Sequence, residues 1–189
     1  MEALTETGWI LVAVVVLLVA ALLVWWLARK RRTKHLHDEF GPEYEHTMKT
    51  AGDRAEAEDE LESRRKRVES YELHDLEAAD RERLRERWRE IQKRFVDDPG
   101  GAVGDAARLI EEAMERRGYP VGEIHRQEDD LSVHHPEEVQ EYRRAYAIAE
   151  RNRRGEATTE ELREATVCYR NLFDHLVGHG ETTPREAAR

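Results

Sequence analysis

From Thr7 to Ala28 the chain is apolar without interruption, and nowhere later does it hold such a run. At about 1.5 Å per residue these 22 residues make a helix of roughly 33 Å, enough for a bilayer core of about 30 Å. The run predicts a single N-terminal transmembrane helix over 7–28, after an extracytoplasmic N-terminus at 1–6. A cleaved signal peptide fits less well. Met1–Glu6 carries Glu2 and Glu6 but no Lys or Arg, the apolar stretch exceeds a signal h-region, and Val24–Ala28 has no small-x-small cleavage site. Trp9 near one end and Trp25 and Trp26 near the other stand where indoles favour the water–lipid interface.

Beyond the run, apolar positions recur at three and four, and no two-residue alternation marks a strand, so the chain reads as all-α. Residues 29–41 read as a basic juxtamembrane connector, its end His35–Gly41 short and polar. Pro42, with Glu43 and Glu45 behind it, opens a long charged helical arm over 42–72 whose apolar stripe is thin: Tyr44, Met48, Ala51, Ala55, Leu61, Val68. Glu60→Arg64 and Glu62→Lys66 support a helix there, and Gly52 opposes it. So thin a stripe leaves three arrangements open: packing on the following domain, self-pairing as a loose coiled coil, or a loose charged tether.

A compact bundle of about five helices is predicted over 73–178. Leu84, Trp88, Ile91 and Phe95 make one stripe, ended by Val96–Gly101, where Asp98 is a ready N-cap and Pro99 a first helical residue. Val103, Ala106, Ile110 and Met114 make the next, stopped at Arg116-Arg117-Gly118-Tyr119-Pro120. A shorter helix is expected over Gly122–Leu131. Another follows Pro136 with Val139, Tyr142, Tyr146 and Ala149. The last opens on the capping box Thr158-x-x-Glu161 and carries Leu162, Ala165, Tyr169, Leu172, Phe173 and Leu176. Residues 179–189 read as a flexible tail. The aromatics on these stripes suit a core.

Charge gives the chain a direction. Arg29, Lys30, Arg31, Arg32 and Lys34 follow the apolar run and no base precedes it, so the positive-inside rule turns residues 29 onward to the cytoplasm. The net charge is −10, yet residues 1–34 carry +3 and the remainder −13. An acidic body argues against nucleic-acid binding, whereas the basic cluster suits anionic lipid at about 1 kcal/mol per base near the surface. The lone Cys168, on an apolar stripe, reads as a small buried hydrophobe in a reducing compartment.

Candidate chemistry is sparse. His175 and His179 are four apart, but Gly178 falls between them, and the adjacent His134 and His135 point apart, so no metal site is expected. Asp97 and Asp98 have the residue type for acid–base work, yet beside Pro99 a capping role explains them. Glu128, Asp129 and Asp130 read as a solvated acidic knot. Gly100, Gly101 and Gly104 open a helix where phosphate could bind, without the Gly-Lys-Ser/Thr of a P-loop or a preceding strand. No motif calls for a cofactor.

Phe40-Gly41-Pro42-Glu43-Tyr44, then Arg94-Phe95-Val96-Asp97-Asp98-Pro99, Arg117-Gly118-Tyr119-Pro120 and Asp130-Leu131-Ser132-Val133 together resemble an uncharacterised bacterial family of small, membrane-anchored, all-helical proteins. The resemblance spans roughly residues 39–177; it implies a bacterial inner-membrane setting, and no activity, cofactor or catalytic residue. The expectation is a non-enzymatic, membrane-tethered cytoplasmic interaction or scaffold module, with the lipid bilayer as partner and a protein partner or self-association through 42–72. The alternatives are a small-molecule or lipid sensor with a pocket in the bundle, and a hydrolase or metal-dependent enzyme using Asp97, Asp98 and His134.

Overall fold

In the computed structural model, residues 2–120, 122 and 124–178 are described, with side chains from Val16 onward except at 124 and 125. Among the described residues every regular element is helical. The order is α1 (Glu2–Phe40), α2 (Pro42–Ala51), α3 (Arg54–Glu69), α4 (Ala78–Arg94), α5 (Pro99–Arg116), α6 (Ile124–His134), α7 (Glu138–Arg153) and α8 (Thr159–Phe173). A π-helical turn, Asp174–Gly178, prolongs α8. The expected tail at 179–189 lies outside the described residues.

Helix α1 corrects the expected polar connector at 35–41. It runs unbroken for 39 residues, about 58 Å, through the basic cluster to Phe40. The reason lies in its last turns: Leu36 is 1% and Phe40 0% exposed, so the end of α1 is held by packing. Where side chains are described, the apolar run extends only from Val16 to Ala28, about 20 Å of helix. Among the described residues no helix is long and apolar enough to cross a membrane.

The arm is two helices, not one. Gly52, at φ 77°, takes the left-handed conformation that L side chains avoid, and the chain doubles back between α2 and α3. Of the three arrangements open for the arm, it packs on the body. Tyr44, Leu61 and Val68 join Leu36 and Phe40 of α1 and Val133 of α6 in a small second core. The stripe read from the sequence was partly misplaced: Ala57 is fully buried, whereas Ala51 and Ala55 are only half-buried.

Helices α4, α5, α7 and α8 enclose the main core, which takes in Leu84, Trp88, Leu109, Ile110, Tyr142, Tyr169, Leu172 and Phe173. Trp88 stacks on Phe173 at 4.9 Å between ring centroids, and Tyr142 meets Tyr169 edge-on at 6.1 Å. Phe95 and Tyr146, expected inside, are half-buried. Helix α6 reaches His134, three residues past its expected end, and divides the two cores. Leu131 faces the main core and Val133, two positions on and therefore on the opposite side, faces the second.

Helix punctuation follows the sequence closely. Asp98 accepts from the Gly101 amide at 2.9 Å. The Thr158 amide donates to Glu161 at 2.8 Å and the Glu161 amide to the Thr158 hydroxyl at 3.3 Å, which completes the capping box. After α5, the Tyr119 amide reaches the Met114 carbonyl and the Gly118 amide reaches that of Glu115, a Schellman closure with Gly118 at φ 92°.

Candidate functional site

The aromatic positions at the end of the apolar run and the basic ones after it do not act as one patch. Trp25, Trp26, Arg29, Lys30 and Lys34 share one face of α1 and line an open groove of about 880 Å³ whose other wall comes from α2 and the first turn of α3. Arg29 lies 5.5 Å from the ring centroid of Trp25, and Lys30 lies 5.4 Å from that of Trp26. Arg32 turns to α3, donating to Asp59 at 2.7 Å and to the Glu58 carbonyl at 3.3 Å. Arg31 is exposed and lies off the groove. Trp9 lies outside the residues whose side chains are described.

Glu58 fastens α1 to the hairpin. Its carboxylate, 3% exposed, accepts from the hydroxyls of Thr33 at 2.7 Å and Tyr44 at 3.1 Å and from Arg54 Nε at 2.9 Å. Burial alone would raise its pKa, but these three donors outweigh burial and hold it below the ordinary carboxylate value.

A second carboxylate fastens the arm to the bundle. Glu43, in the first turn of α2, is fully buried. It accepts from Arg143 at 2.7 and 2.9 Å as a bidentate pair, from Gln140 at 2.7 Å and from Arg64 at 2.9 Å. Burial pushes its pKa up, but Arg143 and Arg64 overcome this and hold it low. The second nitrogen of the Arg64 fork meets Asp129 at 2.9 Å, and Arg143 Nε faces Glu128 at 3.5 Å. Asp129 is shifted the other way: burial raises its pKa by more than Arg64 lowers it, and Glu60 adds to the rise. Asp130 accepts from Arg67 at 2.6 Å and from the Tyr71 hydroxyl at 2.7 Å. The expected solvated knot at Glu128–Asp130 is thereby corrected. These acids face α3 and α7, where arginines neutralise them.

The sequence marks Glu43 as a first-turn acid and Arg64 as a partner of Glu60, neither as part of a buried network, and it does not single out Arg143. Gln140 and Arg143 lie about a hundred positions from Glu43, and each sits on the flank of an apolar stripe where surface charges also fall. The one local signal was Glu60→Arg64, which does form at 3.0 Å.

The other candidates have local structural roles. Asp98 caps α5 and pairs with Arg94 at 2.5 Å; the Gly101 amide first, then Arg94, lower its pKa. Asp97 is exposed. A Cβ at Gly101 would meet the ends of the Asp98 and Arg94 side chains. His134 Nδ1 lies 3.2 Å from the Tyr119 hydroxyl, whose pKa burial pushes up to about 12. His175 pairs with Glu138 at 2.9 Å, its ring edge-on to that of His135; His179 lies outside the described residues. Cys168 is buried, which raises its thiol pKa. Asp97, Asp98 and His134 thus belong to different local contacts. Among the described residues no cluster of three or more His, Cys, Asp or Glu side chains has the arrangement to hold a metal ion.

No family model, curated protein or solved structure matches this chain. The family resemblance therefore stands on its sequence motifs alone.

Proposed function

We propose that this chain is a membrane-tethered helical scaffold, anchored by α1 in a bacterial inner membrane, with its acidic body held on the cytoplasmic face. One observation carries the reading: from Val16 to Leu27 the apolar surface of α1 is exposed on all sides. Leu17, Leu18 and Val19 are 69, 59 and 51% exposed, and Leu22 to Leu27 are all exposed as well. Consecutive residues cover every face of a helix, so no single docking partner on one side would cover them. Lipid surrounds a helix evenly. The nine apolar-run residues before Val16 supply the remaining length, and the five bases after Ala28 supply the orientation.

The test is extraction of the full chain from membranes with alkaline carbonate, followed by protease treatment of spheroplasts from outside. A tethered scaffold stays in the pellet and its body is spared until the cells are broken. Release into the supernatant, or digestion of the body from outside, would overturn the proposal.

A further inference from the structure

The groove beside the basic cluster has unusual chemistry for so acidic a chain. Arg29, Lys30 and Lys34 line one wall, and none of them forms a salt bridge among the described residues. Neighbouring Arg32 is matched by Asp59, and Arg54 on the facing wall is matched by Glu58. Glu45 is the one acid in the lining; it lies 4.0 Å from His37. The remaining cationic face is thus left uncompensated within a chain of net charge −10. One end of the groove is Trp25 and Trp26, 58 and 53% exposed, and these adjoin the exposed apolar surface of Leu22 to Leu27.

We infer that this groove binds the headgroup of one anionic phospholipid, with its phosphate against Arg29, Lys30 and Lys34 and its acyl chains running past Trp25 and Trp26 along α1. This rests on the membrane-tethered reading. Charge complementarity asks for an anion, and continuity with the apolar helix asks for one that carries a hydrocarbon tail. The groove's size lies within the range of about 300–1,000 Å³ usual for small ligands. The Met48 and Tyr44 side chains on the α2 wall offer apolar contact beside the charges. Because α2 and α3 fold back against α1, the bases form the wall of a cleft, which a straight basic helix lacks.

The full-length protein in neutral detergent, titrated with phosphatidylglycerol or phosphatidylcholine and read by native mass spectrometry, tests this. One phosphatidylglycerol per chain should be retained in preference to phosphatidylcholine. Removing charge in the groove (Arg29→Gln, Lys30→Gln or Lys34→Gln) should weaken retention about fivefold each. Arg31→Gln removes the same charge from the same helix outside the groove and should change it less than twofold. Equal retention of both lipids, or an Arg31→Gln loss as large as that of Lys34→Gln, would overturn the inference. So would full competition by inorganic phosphate, which would make it a free-anion site. Carbonate extraction of the same variants separates the two proposals: chains that stay in the membrane pellet without lipid preference refute the groove and leave the anchor standing.

Discussion

Glu43 joins three helices through one carboxylate. Removing one partner of a buried ion pair costs about 3–5 kcal/mol, because the other charge is left in a poorly solvating site. For Glu43→Gln the expected loss is about 3 kcal/mol, the low end of that range, because Asp129 still faces Arg64 and Glu128 still faces Arg143. Urea unfolding of the two proteins checks it. Acid should act through the same residues. Glu43 and Glu58 have folded-state pKa values below the ordinary 4.5, so their stabilisation is complete above pH 4.5 and is lost as pH falls through the folded values. Asp129, raised above 3.8, works in the opposite sense: its contribution is present at low pH and is lost as pH rises through its folded value. Glu62, Asp98 and Glu161 are lowered as well, so five lowered carboxylates against one raised predict net destabilisation below pH 4.5. Melting temperature measured against pH should fall there for the wild type, and fall less steeply for Glu43→Gln. Apart from the Glu60→Arg64 spacing, this network was not legible locally, since a charge that meets its partner across the fold has the same sequence context as one that meets water.

At the scale of the helix, the sequence carried much more. Capping residues act on backbone groups within three or four positions, so Asp98, Thr158–Glu161 and Gly118 can be read without knowing the tertiary fold. The errors fell where tertiary packing decides. Polar residues from His35 to Glu39 disguise Leu36, which continues α1 because the second core holds it, and Gly52, read as opposing one long arm helix, divides the arm in two. Gly118 joins local and tertiary demands. A Cβ there would stand 2.5 Å from the Glu72 carbonyl oxygen, on the segment whose His74 amide donates to the Arg117 carbonyl at 3.1 Å. Gly118→Ala therefore adds a backbone clash to a left-handed φ and should cost more than the ~1 kcal/mol of conformational strain alone. Thr158→Ala removes only the side-chain half of a cap and should cost about 1 kcal/mol. Thermal denaturation of both variants should rank Gly118→Ala as the less stable.

Across the whole molecule, α6 makes arm and bundle one folding unit, since its two faces are buried in different cores. Leu131→Ala, in the main core, should cost about 2–5 kcal/mol, and hydrogen exchange should speed up in α3 as well as in α7. Exchange confined to α7 would show the two cores to be independent. The unbroken course of α1 bears on how a scaffold of the proposed kind would operate. A domain on a flexible leash of n residues roams over about 5–6 Å times the square root of n and can search the cytoplasm around its anchor. Here a single helix continues from Trp26 to the buried Phe40, a rise of about 21 Å, and Glu58 and Leu36 clamp its upper part. Anchored as proposed, the body is mounted on a stiff post: its height above the lipid is fixed and any tilt of the anchor tilts the body with it. A binding partner would have to come to that height, so the scaffold selects for position at the membrane as well as for shape.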